Sequence, residues 1–138
     1  MIRISHLFPL CAPLLLVISC GSVTENEALV SGAVTEWSID VDETTASAGV
    51  LTFRITNSGT IDHEFLVVKT DLPSGEIPVE GGLFREDLEG IQVIDEIPQF
   101  SAGRTEELTL RLEAGKYQLV CNLPGHYQAG MHTNFVVK

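Results

Sequence analysis

Val50-Leu51-Thr52-Phe53-Arg54-Ile55-Thr56, followed at once by Asn57-Ser58-Gly59, is the segment on which the fold reading turns. Leu51, Phe53 and Ile55 alternate with Thr52, Arg54 and Thr56, which is the period of an extended strand with one apolar face. Asn57-Ser58-Gly59 then supplies the residue types of a tight turn. The same period recurs in Trp37-Ser38-Ile39-Asp40-Val41. It recurs again from Thr105 to Leu112, where Leu108, Leu110 and Leu112 oppose Glu107, Thr109 and Arg111.

Three further segments read as strands. Phe65 to Lys69 is a short apolar run suited to a buried strand, Gly115 opens Tyr117-Gln118-Leu119-Val120-Cys121, and the chain closes on Asn134-Phe135-Val136-Val137. Between Thr70 and Ser101 the pattern weakens, with Pro73, Pro78 and Pro98 among scattered acidic residues and glycines. This stretch reads as a long irregular connection, with a helical turn or two over Gly82–Leu88 and an edge strand at Ile91–Ile94. Short, turn-punctuated strands without a long helix or an internal repeat predict an all-β fold. The expected form is an antiparallel Greek-key β-sandwich of about seven or eight strands with a long irregular insertion. Trp37, Phe53, Phe65 and Phe135 are its expected core aromatics.

The N-terminus reads differently. Arg3 precedes an apolar run, Leu7 to Ile18, that is too short to span a bilayer and contains Pro9 and Pro13. Such a run fits the hydrophobic part of a secretory signal. It ends in Val17-Ile18-Ser19-Cys20-Gly21, which resembles the lipobox of bacterial lipoproteins, whose Cys is acylated and becomes the mature N-terminus. The expected organisation is a signal over 1–19, a tether over 20–32 starting at lipidated Cys20, and one folded domain over 33–138. The protein is then exported and held by its lipid at the periplasmic or outer face of a bacterial membrane.

The chain has 138 residues, enough for one domain, and a net charge of −11 from 8 basic and 19 acidic residues. That balance argues against nucleic acid, which needs a basic surface, and favours steering toward basic partners. With Cys11 removed in the signal and Cys20 modified, Cys121 is the thiol left to the mature domain. A single thiol in an oxidising compartment needs a reason to stay reduced. Metal ligation is one; burial as an inert small hydrophobe is the other.

The loop Cys121-Asn122-Leu123-Pro124-Gly125-His126-Tyr127-Gln128-Ala129-Gly130-Met131 favours the metal. A thiolate, an imidazole and a thioether recur at intervals of five residues between the last two strands. Pro124-Gly125 supports a sharp turn, and Gly130 leaves room beside Met131. A thiolate with two imidazoles in a trigonal plane and a weak axial thioether is the donor set of blue-copper electron-transfer centres. The second imidazole is sought in Asn57-Ser58-Gly59-Thr60-Ile61-Asp62-His63-Glu64-Phe65. There His63 stands at the mouth of a strand, whereas His132, directly after Met131, should point away from it.

These two segments resemble those of the cupredoxins, the small blue-copper proteins, in particular the exported bacterial group with Asn-x-Gly-x-x-x-His-Glu-Phe and Cys-x-x-Pro-Gly-His-x-x-x-Gly-Met. The resemblance covers about Ala33 to Lys138 and implies His63 and His126 as imidazole ligands, Cys121 as thiolate and Met131 as axial ligand of one copper ion cycling between Cu(I) and Cu(II). Many cupredoxins carry Asn after the first His, tied to a hydroxyl residue after the Cys. Here the pair is Glu64 and Asn122, and a carboxylate facing an amide restores the tie with the roles exchanged. Leu123 completes the residues expected around the ligands. The resemblance further implies docking through an apolar patch around His126, which Leu123, Pro124, Tyr127 and Ala129 would supply.

Four protein donors leave no open position for a substrate, and no hydrolase or phosphate-loop constellation is visible, so the chain does not read as an enzyme. The expected role is a monomeric one-electron carrier between redox proteins of the cell envelope. The alternative is copper capture, storage or delivery, against which stands the lack of any Met- or His-rich tract.

Overall fold

In the computed structural model, which describes residues 27–138, the alternation of Gly49–Asn57 becomes a strand with Leu51, Phe53, Ile55 and Asn57 buried and Arg54 in solvent. The elements in chain order are β1 (Glu27–Thr35), β2 (Ser38–Val41), β3 (Thr45–Ala46), β4 (Gly49–Asn57), β5 (His63–Lys69), β6 (Val79–Glu80), β7 (Leu83–Phe84), β8 (Gln92–Phe100), β9 (Thr105–Leu112), β10 (Gly115–Val120), the four-residue helix α1 (His126–Ala129) and β11 (His132–Val137). One sheet runs β2-β1-β4-β9 and the other β3-β11-β10-β5-β8, with β6-β7 a separate hairpin. The all-β sandwich expected from the sequence is the fold. Between the sheets lie Leu51, Phe53, Ile55 and Leu108 from one side and Phe65, Val67, Leu119 and Phe135 from the other. The Phe53 ring packs on Phe65 and Phe135 with centroids 5.5 and 5.3 Å apart.

A second apolar cluster lies on the outer face of the larger sheet. Leu66, Val68 and Val120 point into it and are covered by Ile77, Phe84, Ile91 and Tyr127. This explains why Phe65–Val68 reads as a continuous apolar run: the strand is buried on both faces, so alternation gives no advantage. The segment after β5 is the cover.

Five expectations need correction. Residues 27–32, read as tether, form the first part of β1, which pairs with β4 in parallel, Glu27 opposite Val50 through Val34 opposite Asn57. The sandwich is therefore mixed rather than purely antiparallel, since β3 also runs parallel to β11. Gly82–Leu88 is not helical; Gly81 and Gly82, at φ 63° and 89°, make the turn of the β6–β7 hairpin. The edge strand is longer than Ile91–Ile94 and runs to Phe100, through Pro98. That proline is tolerated because β8 is the outermost strand of its sheet. Trp37 is not core: it is 48 % exposed.

The connections bring three chain segments to one end of the sandwich. β5 starts there, β10 ends there, and β11 starts there, in antiparallel register with Val120 opposite both Leu66 and His132. The β1–β2 turn, carrying Glu36 and Trp37, reaches the same end.

Candidate metal centre

His63 is the first residue of β5 and Cys121 follows the last residue of β10. Continuing the β5–β10 register past Val120–Leu66 sets Cys121 beside Phe65 and Asn122 beside Glu64. The loop from Cys121 to Met131 is closed by its own backbone. Cys121 N–H donates to the Met131 carbonyl at 3.0 Å, Met131 N–H to the His126 carbonyl at 3.1 Å, and His126 N–H to the Leu123 carbonyl at 2.9 Å. Gly125 and Gly130 flank α1 at φ 83° and 118°, left-handed values that a side chain would strain. Pinned in this way, His126 turns inward.

His63, Cys121 and Met131 are fully buried, and His126 is 9 % exposed. The His63 and His126 Nδ1 atoms stand 3.3 Å apart, and Cys121 Sγ is 3.4 Å from His126 Nδ1. One donor atom from each of His63, Cys121 and His126 lies within 4.8 Å of the others. Two imidazole nitrogens and one sulfur thus face a common point, with Met131 buried in the same loop. His132 is not among them. Its Nδ1 meets Ser74 Oγ at 2.7 Å and its ring packs against Tyr127, as its place beyond Met131 predicts.

Burial pushes the Cys121 thiol up to about 11, opposed by hydrogen bonds from the backbone N–H groups of Glu64 and Leu123. The Glu64 bond to Sγ is 3.5 Å long. Burial and the neighbouring His63 hold His126 below the usual imidazole range. The same groups fit a soft cation, which takes the thiolate and the free imidazole nitrogens together.

Beside these side chains Glu64 and Asn122 are joined, but not through the side-chain pairing the sequence suggested. Glu64 Oε1 accepts from the backbone N–H of Asn122 at 2.6 Å, not from its side-chain amide. That amide is committed elsewhere: Phe84 N–H donates to Asn122 Oδ1 at 2.7 Å, and Asn122 Nδ2 donates to Glu86 Oε1 at 2.8 Å. Asn122 therefore binds the insertion to the ligand loop. Burial raises the Glu64 carboxyl above its usual range, against the Asn122 bond.

Three contributors were not singled out from the sequence. Asn57 is fully buried, donates to the Ile61 and Phe100 carbonyls at 2.9 and 3.0 Å, and fixes the loop before His63. Its place in the Asn-x-Gly segment was the signal available. Glu86 and Glu36 carry no local sequence signal, because their partners lie 36 and 24 residues away. Glu36 is held down to about 2, chiefly by the Thr60 backbone N–H.

The surface over His126 also differs from expectation. Tyr127 is buried, its hydroxyl donating to Gln118 Oε1 at 3.0 Å and accepting from Ile77 N–H at 3.2 Å. Trp37 takes its place, with its ring edge-on to His126 at 5.2 Å between centroids. Pro124 and Ala129 are exposed and Leu123 half-buried.

Residues 41–138 match the model of a family described as copper-binding proteins, plastocyanin/azurin family. No curated protein matches by sequence. Among solved structures, the chain is similar to reduced auracyanin from the photosynthetic bacterium Roseiflexus castenholzii, at 18 % identity and TM-score 0.55 over 81 % of this chain and 96 % of that one. It is similar to auracyanin A, a "blue" copper protein from Chloroflexus aurantiacus, at 21 % and TM-score 0.58 over 82 % and 100 %. Rusticyanin from Thiobacillus ferrooxidans follows the same fold at 23 % and TM-score 0.54 over 80 % and 76 %.

Proposed function

Because the chain belongs to the plastocyanin/azurin family of copper-binding proteins, we propose that it is a one-electron carrier whose ligands are His63, Cys121, His126 and Met131. When bound, copper supplies the couple between Cu(I) and Cu(II). The protein's part is to hold the donors in one arrangement for both states and to keep water out. The observation that carries this reading is the convergence of a buried thiol and two buried imidazoles, pinned by the backbone bonds of the Cys121–Met131 loop. Every donor is a protein side chain, so the site is suited to passing electrons rather than binding a substrate, and the chain is not proposed as an enzyme.

His126 is the ligand nearest solvent, and Trp37, Pro124 and Ala129 beside it form the proposed face for redox partner proteins. Cys20 lies outside the described residues. Its lipidation, the signal over 1–19 and location on a bacterial envelope membrane are proposed on the Val17–Gly21 segment. One geometric feature supports such an arrangement. β1 begins at Glu27 and ends next to Glu36 and Trp37, so its nine residues set the tether and the copper end apart by about 30 Å.

The test is voltammetry of the copper-loaded protein. Reversible one-electron behaviour is expected. Copper uptake that passes to a recipient protein without reversible cycling would instead favour copper delivery.

A further inference from the structure

The outer nitrogen of His63 poses a problem that the four ligands do not solve. With Nδ1 facing His126 and Cys121, the ring's other nitrogen, Nε2, points into the protein. It is buried and has no hydrogen-bond partner among the described residues. Leaving such a group unmatched forfeits the hydrogen bonds it would make in water. Opposite it, at 3.6 Å, stands Oε1 of Glu36. A movement of about half an ångström closes this to a hydrogen bond.

Glu36 is not there by accident of a flexible side chain. Its Oε1 accepts from Thr60 N–H at 2.6 Å, Ile61 N–H at 3.0 Å and Thr60 Oγ1 at 3.3 Å. Gly59 lies against it so closely that a Cβ at that position would stand 2.6 Å from Oε1. The loop before His63 is therefore wrapped around this carboxylate. Only a quarter of the Glu36 side chain reaches solvent (26 %).

We infer that Glu36 is a positioning residue for His63: its carboxylate fixes the proton on Nε2, presents the Nδ1 lone pair to copper, and sets a negative charge behind the ligand that favours Cu(II) over Cu(I). A metal-bound imidazole is made a better donor when its far N–H meets an anion, and the anion offsets the higher charge of the oxidised ion. Glu36 touches no metal; it acts through the ring. The inference rests on the copper-site reading above and adds a residue to it.

The experiment uses the full chain as wild type, E36Q, E36A and G59A. Nitrogen-15 NMR of the metal-free proteins reads the His63 tautomer without any copper present. The wild type is expected to hold the proton on Nε2, and E36A to lose that preference. In the copper-loaded proteins, E36Q keeps an oxygen for Thr60 and Ile61 but drops the charge. Its ratio of Cu(II) to Cu(I) affinity is expected to fall about tenfold, a rise of about 59 mV for a one-electron couple. G59A, which displaces the carboxylate without removing it, should shift the potential the same way. A wild-type His63 protonated on Nδ1, or potentials unchanged in both E36Q and G59A, would overturn the inference. Failure of the copper reading looks different: the wild type itself would show no reversible couple, while the metal-free NMR still reports on Glu36 and His63.

Discussion

The residue after the first histidine and the residue after the cysteine are joined: Asn122 N–H donates to Glu64 Oε1 at 2.6 Å. Antiparallel pairing of β5 with β10 sets these two positions opposite each other, and both partners are at least half withdrawn from water. The Glu64 backbone N–H in turn reaches Cys121 Sγ at 3.5 Å. One residue thus holds the two ligand-bearing segments together twice, by its carboxylate and by its amide.

Glu64→Ala is expected to strand the Asn122 N–H and to lower stability by about 1–3 kcal/mol. It should also raise the reduction potential by removing a carboxylate beside the sulfur. Glu64→Gln keeps an acceptor and should recover most of the stability. Denaturant melts and voltammetry on both variants check this; an unchanged potential in Glu64→Ala would remove Glu64 from the site.

Tyr127→Phe separates the two apolar clusters. The hydroxyl serves Gln118 and Ile77 and belongs to the cover on the outer sheet face. Its loss should cost about 1–3 kcal/mol, most visible as faster amide exchange at Ile77. The visible spectrum should stay as in the wild type, because the ring faces away from the ligands.

Trp37→Ala should do the reverse. Trp37 is half exposed, so stability should change by less than about 1 kcal/mol. Electron exchange with a partner protein should slow, because the variant loses the aromatic edge over His126. Stopped-flow mixing with an oxidised partner measures it, and a rate equal to that of Tyr127→Phe would contradict the proposed docking face.

The metal-free protein should lose stability in alkali. Burial pushes Cys121 from 9.0 up to about 11 and raises Tyr117 and Tyr127 above 10.0. Folding holds each of the three protonated, so this stabilisation is complete below pH about 9 and is lost as pH rises through the folded values. Copper binding expels the thiol proton, so the Cys121 share should vanish in the loaded protein. Thermal melts of both forms at pH about 8 and about 11 test it; equal alkaline losses would contradict the role of Cys121.

Periodicity made the sandwich legible in β4, β9 and β11, where one face is buried and the other wetter. It failed where that condition fails. β8 carries Asp95, Glu96 and Pro98 because it is an edge strand, and so it reads as loop. β1 begins with polar Glu27, and its buried residues, Val30 and Val34, are four apart. The ligands were legible because all but one lie within a single loop at fixed spacing. Glu36 was not, since only the folded chain brings the β1–β2 turn to the back of His63. Trp37 was misplaced for a related reason: composition says an aromatic should be buried, but not that a turn will lay it over a ligand.

Copper K-edge X-ray absorption on the Cu(II)-loaded protein measures the donor atoms themselves. Two imidazole nitrogens and one short thiolate sulfur are expected, with the sulfur lost in Cys121→Ser. A first shell of oxygen and nitrogen alone in the wild type would mean that His63, Cys121 and His126 do not share the ion.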